Sequence, residues 1–338
     1  MIGKAIANLV EMRDLTAQEA LECFTEIMEG RASPAQISSF LTALRMKGET
    51  VIEIASCARS MQKHMCAISP RVNGNLLDTC GSGGGAIKTF NVSTIAAFVA
   101  CGAGCYVAKH GNRAITSKSG SADVLEALGI KIDLPPERVQ AIIEKIGIGF
   151  LYAPACSAAM KFASPVRREI GIRTIFNILG PIANPANAQC RLLGVYDLGL
   201  AEKIANALQE LKVENALVVH GADGLDEIST LGETVIYELH DGRIKKYSIV
   251  PEQFGIVRAD EEDIAGGSAE ENARIALDVL QGKEIGAKRD IVLLNAGAAI
   301  YISGKAQSIQ EGIKLAKQAI SSGKALEKLQ ALKRETNA

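Results

Sequence analysis

Residues able to do chemistry crowd into the stretch from Asp78 to Asp123. It reads DTCGSGGGAIKTFNVST, then an apolar run, then AKHGNRAITSKSGSAD. Gly81, Gly83, Gly84 and Gly85 each lose backbone entropy on ordering, a cost of ~0.5–1 kcal/mol per residue that a packed core does not return. Followed by Thr89, Asn91, Ser93 and Thr94, they suit a ligand that must come close to backbone N–H groups, above all phosphate. Leu76-Leu77-Asp78 reads as the end of a buried strand, and Ile95 to Ala100 as a helical run. Strand, glycine loop, hydroxyl-rich turn and helix then bring orphan N–H groups and the positive end of a helix dipole to one place. Ser93 or Thr94 also suits an ordinary N-cap, and a lone glycine loop suits a tight turn equally well.

A second unit repeats the arrangement. Tyr106 to Lys109 reads as a strand end, His110-Gly111-Asn112-Arg113 as a turn, and Asp123 to Leu128 as a helix stopped by Gly129. Two such units in succession imply a parallel sheet with its ligand crevice at the strand ends. Lys109 and Arg113 supply positive charge for a pyrophosphate, and Ser117 and Ser121 add hydroxyls. Further on, Ala216 to His220 is continuously apolar, as a strand buried on both faces should be, and the loop after it is GADGLDEIS. Adjacent acids such as Asp226-Glu227 are most often merely solvated. At a strand's carboxyl end they also offer the hard oxygens that magnesium requires.

The runs GSGGG…TFNVST, KHGNRAITSKSGSADVLEALG and PVRREIGIRTIFNILGPIANPA resemble the anthranilate phosphoribosyltransferases, a family related to the class II pyrimidine nucleoside phosphorylases. The similarity runs nearly end to end, from the first helices to the closing AISSGKALEKL. The resemblance implies transfer of phosphoribose from PRPP to the amino group of anthranilate, a step toward tryptophan. It places PRPP on Gly81, Gly84, Gly85, Thr89, Asn91, Val92, Ser93, Thr94, the span Lys109, His110, Gly111, Asn112, Arg113, Ala114, Ile115, Thr116, Ser117, and Ser121. It places anthranilate on Gly81, Asn112 and Arg167, where a guanidinium can fork onto the carboxylate. It places two Mg2+ ions, brought with PRPP, on Ser93, Asp226 and Glu227. No catalytic acid or base is assigned: an aniline nitrogen is neutral and nucleophilic at pH 7, so catalysis is charge neutralisation and placement. The chain departs from the family pattern at Gly85, where an aspartate is usual, and at Cys156-Ser157-Ala158, where histidines are usual. The competing assignments are a pyrimidine nucleoside phosphorylase and a non-catalytic nucleotide-binding relative.

These residues need a scaffold, and 338 residues can bury a substantial core. A net charge of −1 gives no global field for nucleic acid or an anionic membrane, and the resemblance makes the two small substrates the expected partners. No apolar run reaches the ~18 residues of a spanning helix. Cys23, Cys57, Cys66, Cys80, Cys101, Cys105, Cys156 and Cys190 form no C-x-x-C pair and read as small buried hydrophobes in a reducing cytoplasm. The expected fold is α/β: a small N-terminal helical domain, 1–70 joined by part of 157–185, and a domain over 71–338 with a mostly parallel central sheet flanked by helices. Thr16 with Glu19, and Ser33-Pro34, mark helix starts in the first part. The resemblance makes those helices a homodimer interface. In the second part Val235 to Ile249 reads as a hairpin about Asp241-Gly242, Ile291 to Asn295 as a last strand, and Gly180-Pro181 as a hinge.

Overall fold

The structure is a computed structural model that describes residues 1–85, 87–114 and 118–338; Ile115, Thr116 and Ser117 lie outside the described residues. Seven strands form one sheet: β1 Leu76–Gly81, β2 Tyr106–Gly111, β3 Ile148–Tyr152, β4 Cys190–Gly194, β5 Asn215–Gly221, β6 Thr234–His240 and β7 Arg243–Ile249. Their order is β3-β2-β1-β4-β5-β6-β7. The first five in that order pair in parallel, while β6 is antiparallel to both β5 and β7. The chain winds outward from β1 through β2 to β3, then restarts at β4 on the other side. The switch point of the sheet is therefore the gap between β1 and β4, where ligands of open α/β sheets bind.

Alternation along the strands feeds two cores. Leu77, Val107, Leu192, Leu217 and Val219 face one layer, built on Val92–Gly102, Ala287–Ile302 and the helices that follow to the C-terminus. Leu76, Ala108, Leu193, Ala216 and Val218 face the other, built on Leu198–Glu210 and the N-terminal helices. Those are Ile2–Val10, Ala17–Met28, Pro34–Lys47 and Val51–Lys63. Thr16 with Glu19, Ser33 with Gln36, and Thr50 with Glu53 close reciprocal capping boxes on the last three. The helices Met160–Ile170 and Ile175–Ile182 return to this layer, where the Phe24 and Phe176 rings lie 4.9 Å apart.

Five expectations need correction. Leu76-Leu77-Asp78 begins β1, which runs on to Gly81, and His110-Gly111 belongs to β2. Ile291 to Asn295 is no strand but the middle of the helix Ala287–Ile302, buried on every side. An apolar run without a polar face looks alike as either element. Gly180-Pro181 does not separate two elements; it forms the last turn of Ile175–Ile182. Finally, Cys66 is exposed and Cys80 half-buried, while the other six cysteines are buried, all as free thiols. The hairpin turn is as expected, with Asp241 at φ 49° and Gly242 at φ 68°. No helix among the described residues is long and apolar enough to cross a membrane.

The buried helix packs against its neighbour Ile309–Ser321 through glycines: a Cβ on Gly312 would stand 2.1 Å from the Gly297 carbonyl oxygen. Helix propensity alone makes Gly→Ala stabilising by about 1 kcal/mol. Here overpacking against backbone should reverse the sign, so Gly312→Ala is expected to destabilise by about 1–3 kcal/mol in urea unfolding. A gain in stability would show that the two helices do not meet at this point.

Candidate active site

The register of the sheet builds the site. Gly81 and Gly194 pair across β1 and β4 at the carboxyl ends of both strands. The loop after β5 lies directly over them. A Cβ on Gly194 would fall 1.6 Å from the Asp226 carbonyl oxygen, and one on Gly81 would fall 2.6 Å from Asp226 Oδ2. At Gly85 a Cβ would meet the Gly224 carbonyl at 2.9 Å. Three glycines thus clear the floor on which the acidic loop rests, which is a packing reason for Gly85 in this chain. From behind, the fully buried Asn295 holds that loop: Ile228 N donates to its Oδ1, and its Nδ2 donates to the Ile228 carbonyl, both at 2.9 Å.

The two carboxylates occupy N–H groups. Gly83 N donates to Asp226 Oδ2 at 2.8 Å, with Gly83 at φ +67° and Gly84 at φ +84°. Ser93 N, in the first turn of Val92–Gly102, donates to Glu227 Oε1 at 3.2 Å. Neither Ser93 nor Thr94 is an N-cap. The cap position is Asn91, whose side chain turns instead to the Ser119 carbonyl and to Asn272, so Glu227 takes the place of a local cap. Thr94 Oγ1 is buried with no partner among the described residues, and the Val92 side chain lies in the core. Thr89 is half-buried and bridges to Ala265.

Electrostatics mark the acid pair. Burial, opposed by the Gly83 N–H and the Lys88 and Arg173 cations, raises Asp226 above the usual carboxylate range. Burial and then the charge of Asp226 push Glu227 up to about 8, against the pull of Lys109. Among the described residues neither acid has a salt bridge. No cluster of three or more His, Cys, Asp or Glu side chains among the described residues is placed to hold a metal by itself. Two hard carboxylates, one of them on Ser93 N, still fit Mg2+, which usually takes one or two carboxylates and completes its shell with water and substrate phosphates.

The cations are distributed less simply than their sequence implies. Lys109 is buried beneath the loop; its ammonium donates to the Thr79 carbonyl and lies 3.4 Å from Ser93 Oγ, and burial lowers its pKa. Arg113 is exposed but turned onto the following helix, Ser121–Ala127, paired with Asp123 and Glu126 and bonded to the Tyr152 hydroxyl. The Ala114 N–H is likewise taken by Asp123, and Ser121 Oγ bonds the Asn112 carbonyl. Asn112 is exposed, and Gly111 packs so closely on Ser121 and Phe150 that a Cβ would clash with both. His110 is buried. Its Nδ1 lies 3.2 Å from the Gly180 carbonyl, and since a carbonyl only accepts, this nitrogen carries the proton. Burial lowers its pKa, and Nε2 has no partner among the described residues. Arg167 is half-buried with its guanidinium 4.9 Å over the Phe176 ring and no acceptor among the described residues, while Arg168 is exposed. Sequence reasoning missed Arg173, whose Nη2 donates to the Gly84 carbonyl at 2.8 Å. It also missed Asn295, although a lone amide inside an apolar run was a signal.

Comparison with known proteins accords with this geometry. The glycosyl transferase family a/b domain matches residues 73–326, and the glycosyl transferase family helical bundle domain matches 4–65. Anthranilate phosphoribosyltransferase of Acetivibrio thermocellus is 52% identical over 337 residues, covering 100% of this chain and 97% of the relative. That of Methanocorpusculum labreanum is 53% identical over 332 residues, covering 98% and 97%. The chain belongs to the anthranilate phosphoribosyltransferase family. The solved family member from Thermus thermophilus superposes with a TM-score of 0.93 at 42% identity, covering 99% of both chains. The Saccharomyces cerevisiae anthranilate phosphoribosyltransferase, solved in complex with PRPP and Mg, gives 0.90 at 30%, covering 99% and 98%.

The raised Glu227 has a thermodynamic consequence. A carboxyl whose folded value lies near 8 rather than 4.5 contributes stability below the lower value, and that contribution is lost as pH climbs to the upper one. Glu227→Gln, which keeps the uncharged form, should flatten the fall in Tm between about pH 5 and about pH 8 in chelator. Magnesium should likewise flatten it in the unsubstituted protein. Identical Tm profiles with and without the substitution would show that Glu227 titrates normally.

Proposed function

We propose that this chain transfers the phosphoribosyl group of PRPP to the amino group of anthranilate, giving N-(5-phosphoribosyl)anthranilate and pyrophosphate. The observation that carries the reading is the switch-point crevice, where an acid pair sits on the N–H groups of a glycine loop and a helix N-terminus. Anion-seeking N–H groups next to metal-seeking oxygens match a metal diphosphate, and a plain anion site would not need the acids. The S. cerevisiae relative solved with PRPP and Mg, and the same enzyme solved with 4-fluoroanthranilate, support both substrates.

In this reading the donor residues are Gly81, Gly84, Gly85, Thr89 and Asn91 to Thr94, together with the span from Lys109 to Ser117 and Ser121. Ser93, Asp226 and Glu227 hold two Mg2+ ions, directly or through water. When bound, the metal neutralises charge on the departing pyrophosphate. The chain's own part is placement and charge. The N–H groups of the loop and helix N-terminus fix the phosphates, and the Lys109 ammonium beside Ser93 adds fixed positive potential. The C1–oxygen bond to pyrophosphate breaks, the C1–nitrogen bond forms, and the amine loses a proton to solvent. Arg167 pairs the anthranilate carboxylate; its half-buried guanidinium, with no acceptor among the described residues, supports that role. Gly81 and Asn112 line the rest of the acceptor site. We further infer a homodimer formed through the helical part, 1–70 with part of 157–185, against an α/β part over 71–338. A cytoplasmic location fits eight free cysteines.

Loss of anthranilate fluorescence with PRPP and Mg2+ tests the activity, and chelator should abolish it. Arg167→Ala should raise the anthranilate KM by about tenfold or more with PRPP KM little changed. Asp226→Asn combined with Glu227→Gln should lower kcat/KM for PRPP by at least about a hundredfold. Turnover that survives chelation, or unchanged anthranilate kinetics after Arg167→Ala, would contradict the assignment.

A further inference from the structure

Arg173 lies outside the sets of donor, acceptor and metal residues, yet it is built into the glycine loop. It sits between Met160–Ile170, which carries Arg167, and Ile175–Ile182. Its guanidinium stacks 4.0 Å over the Tyr196 ring and sends Nη2 to the Gly84 carbonyl at 2.8 Å. A Cβ on Gly84 would lie 1.7 Å from that nitrogen, so glycine is required there for the contact as well as for its φ of +84°. Tyr196 is itself tied to the same loop, for its backbone N donates to Ser82 Oγ at 3.3 Å, and Ser82 N donates to the Gly194 carbonyl at 2.8 Å.

We propose that Arg173 and Tyr196 form a clasp on the glycine loop, with Arg173 a positioning residue that holds the Gly84 carbonyl turned away so that the loop N–H groups face the donor. The idea rests on the assignment of this loop to PRPP. Its logic is steric and electronic. A glycine-rich loop has little stiffness of its own, and a carbonyl turned toward a diphosphate would repel it. A planar guanidinium can stack on a ring and donate in its plane at once, which an ammonium cannot do. Because Arg167 and Arg173 lie on the two sides of the turn at Gly171, at φ +63°, the clasp also joins the acceptor segment to the donor loop.

Steady-state kinetics of the full-length enzyme with PRPP, Mg2+ and anthranilate test the clasp. Arg173→Gln and Tyr196→Leu should each raise the PRPP KM by about tenfold, with kcat and anthranilate KM within about threefold. Tyr196→Phe should keep the stack and behave as the unsubstituted enzyme, while Arg173→Lys should fail to restore PRPP KM. The double variant should be no worse than either single one, since both remove one interaction. A multiplicative double variant, or a harmless Tyr196→Leu beside a damaging Arg173→Gln, would make Arg173 a direct donor ligand and overturn the clasp. Lower Tm with unchanged PRPP KM would reduce it to a fold contact and overturn it equally. An unsubstituted enzyme that fails to consume PRPP and anthranilate would instead sink the assigned reaction.

Discussion

Two hydrogen bonds from backbone N–H groups to carboxylates, Gly83 to Asp226 and Ser93 to Glu227, organise the rest of this molecule. Each joins an element of β1's crossover to the loop after β5, across the place where the sheet reverses its winding order. They are possible only because Gly81, Gly85 and Gly194 carry no side chain at the point of approach. Each is also a compromise. The acids accept N–H groups suited to phosphate, and burial keeps their pKa values high, so they hold their protons more tightly than free carboxylates. A diphosphate carrying divalent metal resolves both tensions at once, taking the N–H groups and giving the carboxylates a cation.

The surrounding structure serves that arrangement from several directions. Asn295, on a helix buried on all sides, fixes the acidic loop through Ile228. Fully buried Asp78 accepts from His110 N at 3.1 Å and from Asn184 Nδ2 at 2.7 Å, binding β1, β2 and the segment after Ile175–Ile182 into one block. Arg191, also fully buried, donates to the Ile182 and Ala188 carbonyls from β4 and so steadies the same segment. Such buried polar links are costly unless satisfied, and here nearly every one joins two elements that border the crevice.

Much of this could be read from residue types alone, and the reasons are local. Thr16 with Glu19, Asp241-Gly242 and the glycine loop each declare their backbone geometry within a few residues. The runs around Gly81 and Lys109 carried the family assignment because they are long and unusual. What stayed hidden depends on contacts between distant residues. Ile291 to Asn295 carries no polar face to reveal its period, so only packing against Ile309–Ser321 shows it to be helical. The pairing of Arg113 with Glu126, the burial of Lys109 and the stacking of Arg173 on Tyr196 each require a fold to be known first. Charge in a motif reveals that a cation is present and leaves open whom it faces.

The most direct test of the account is a crystal structure of the enzyme with PRPP and Mg2+. The account predicts the diphosphate against the N–H groups of Gly83 to Ser93, with metal between it and the carboxylates of Asp226 and Glu227. Donor bound anywhere else, with those carboxylates still on Gly83 and Ser93, would contradict it.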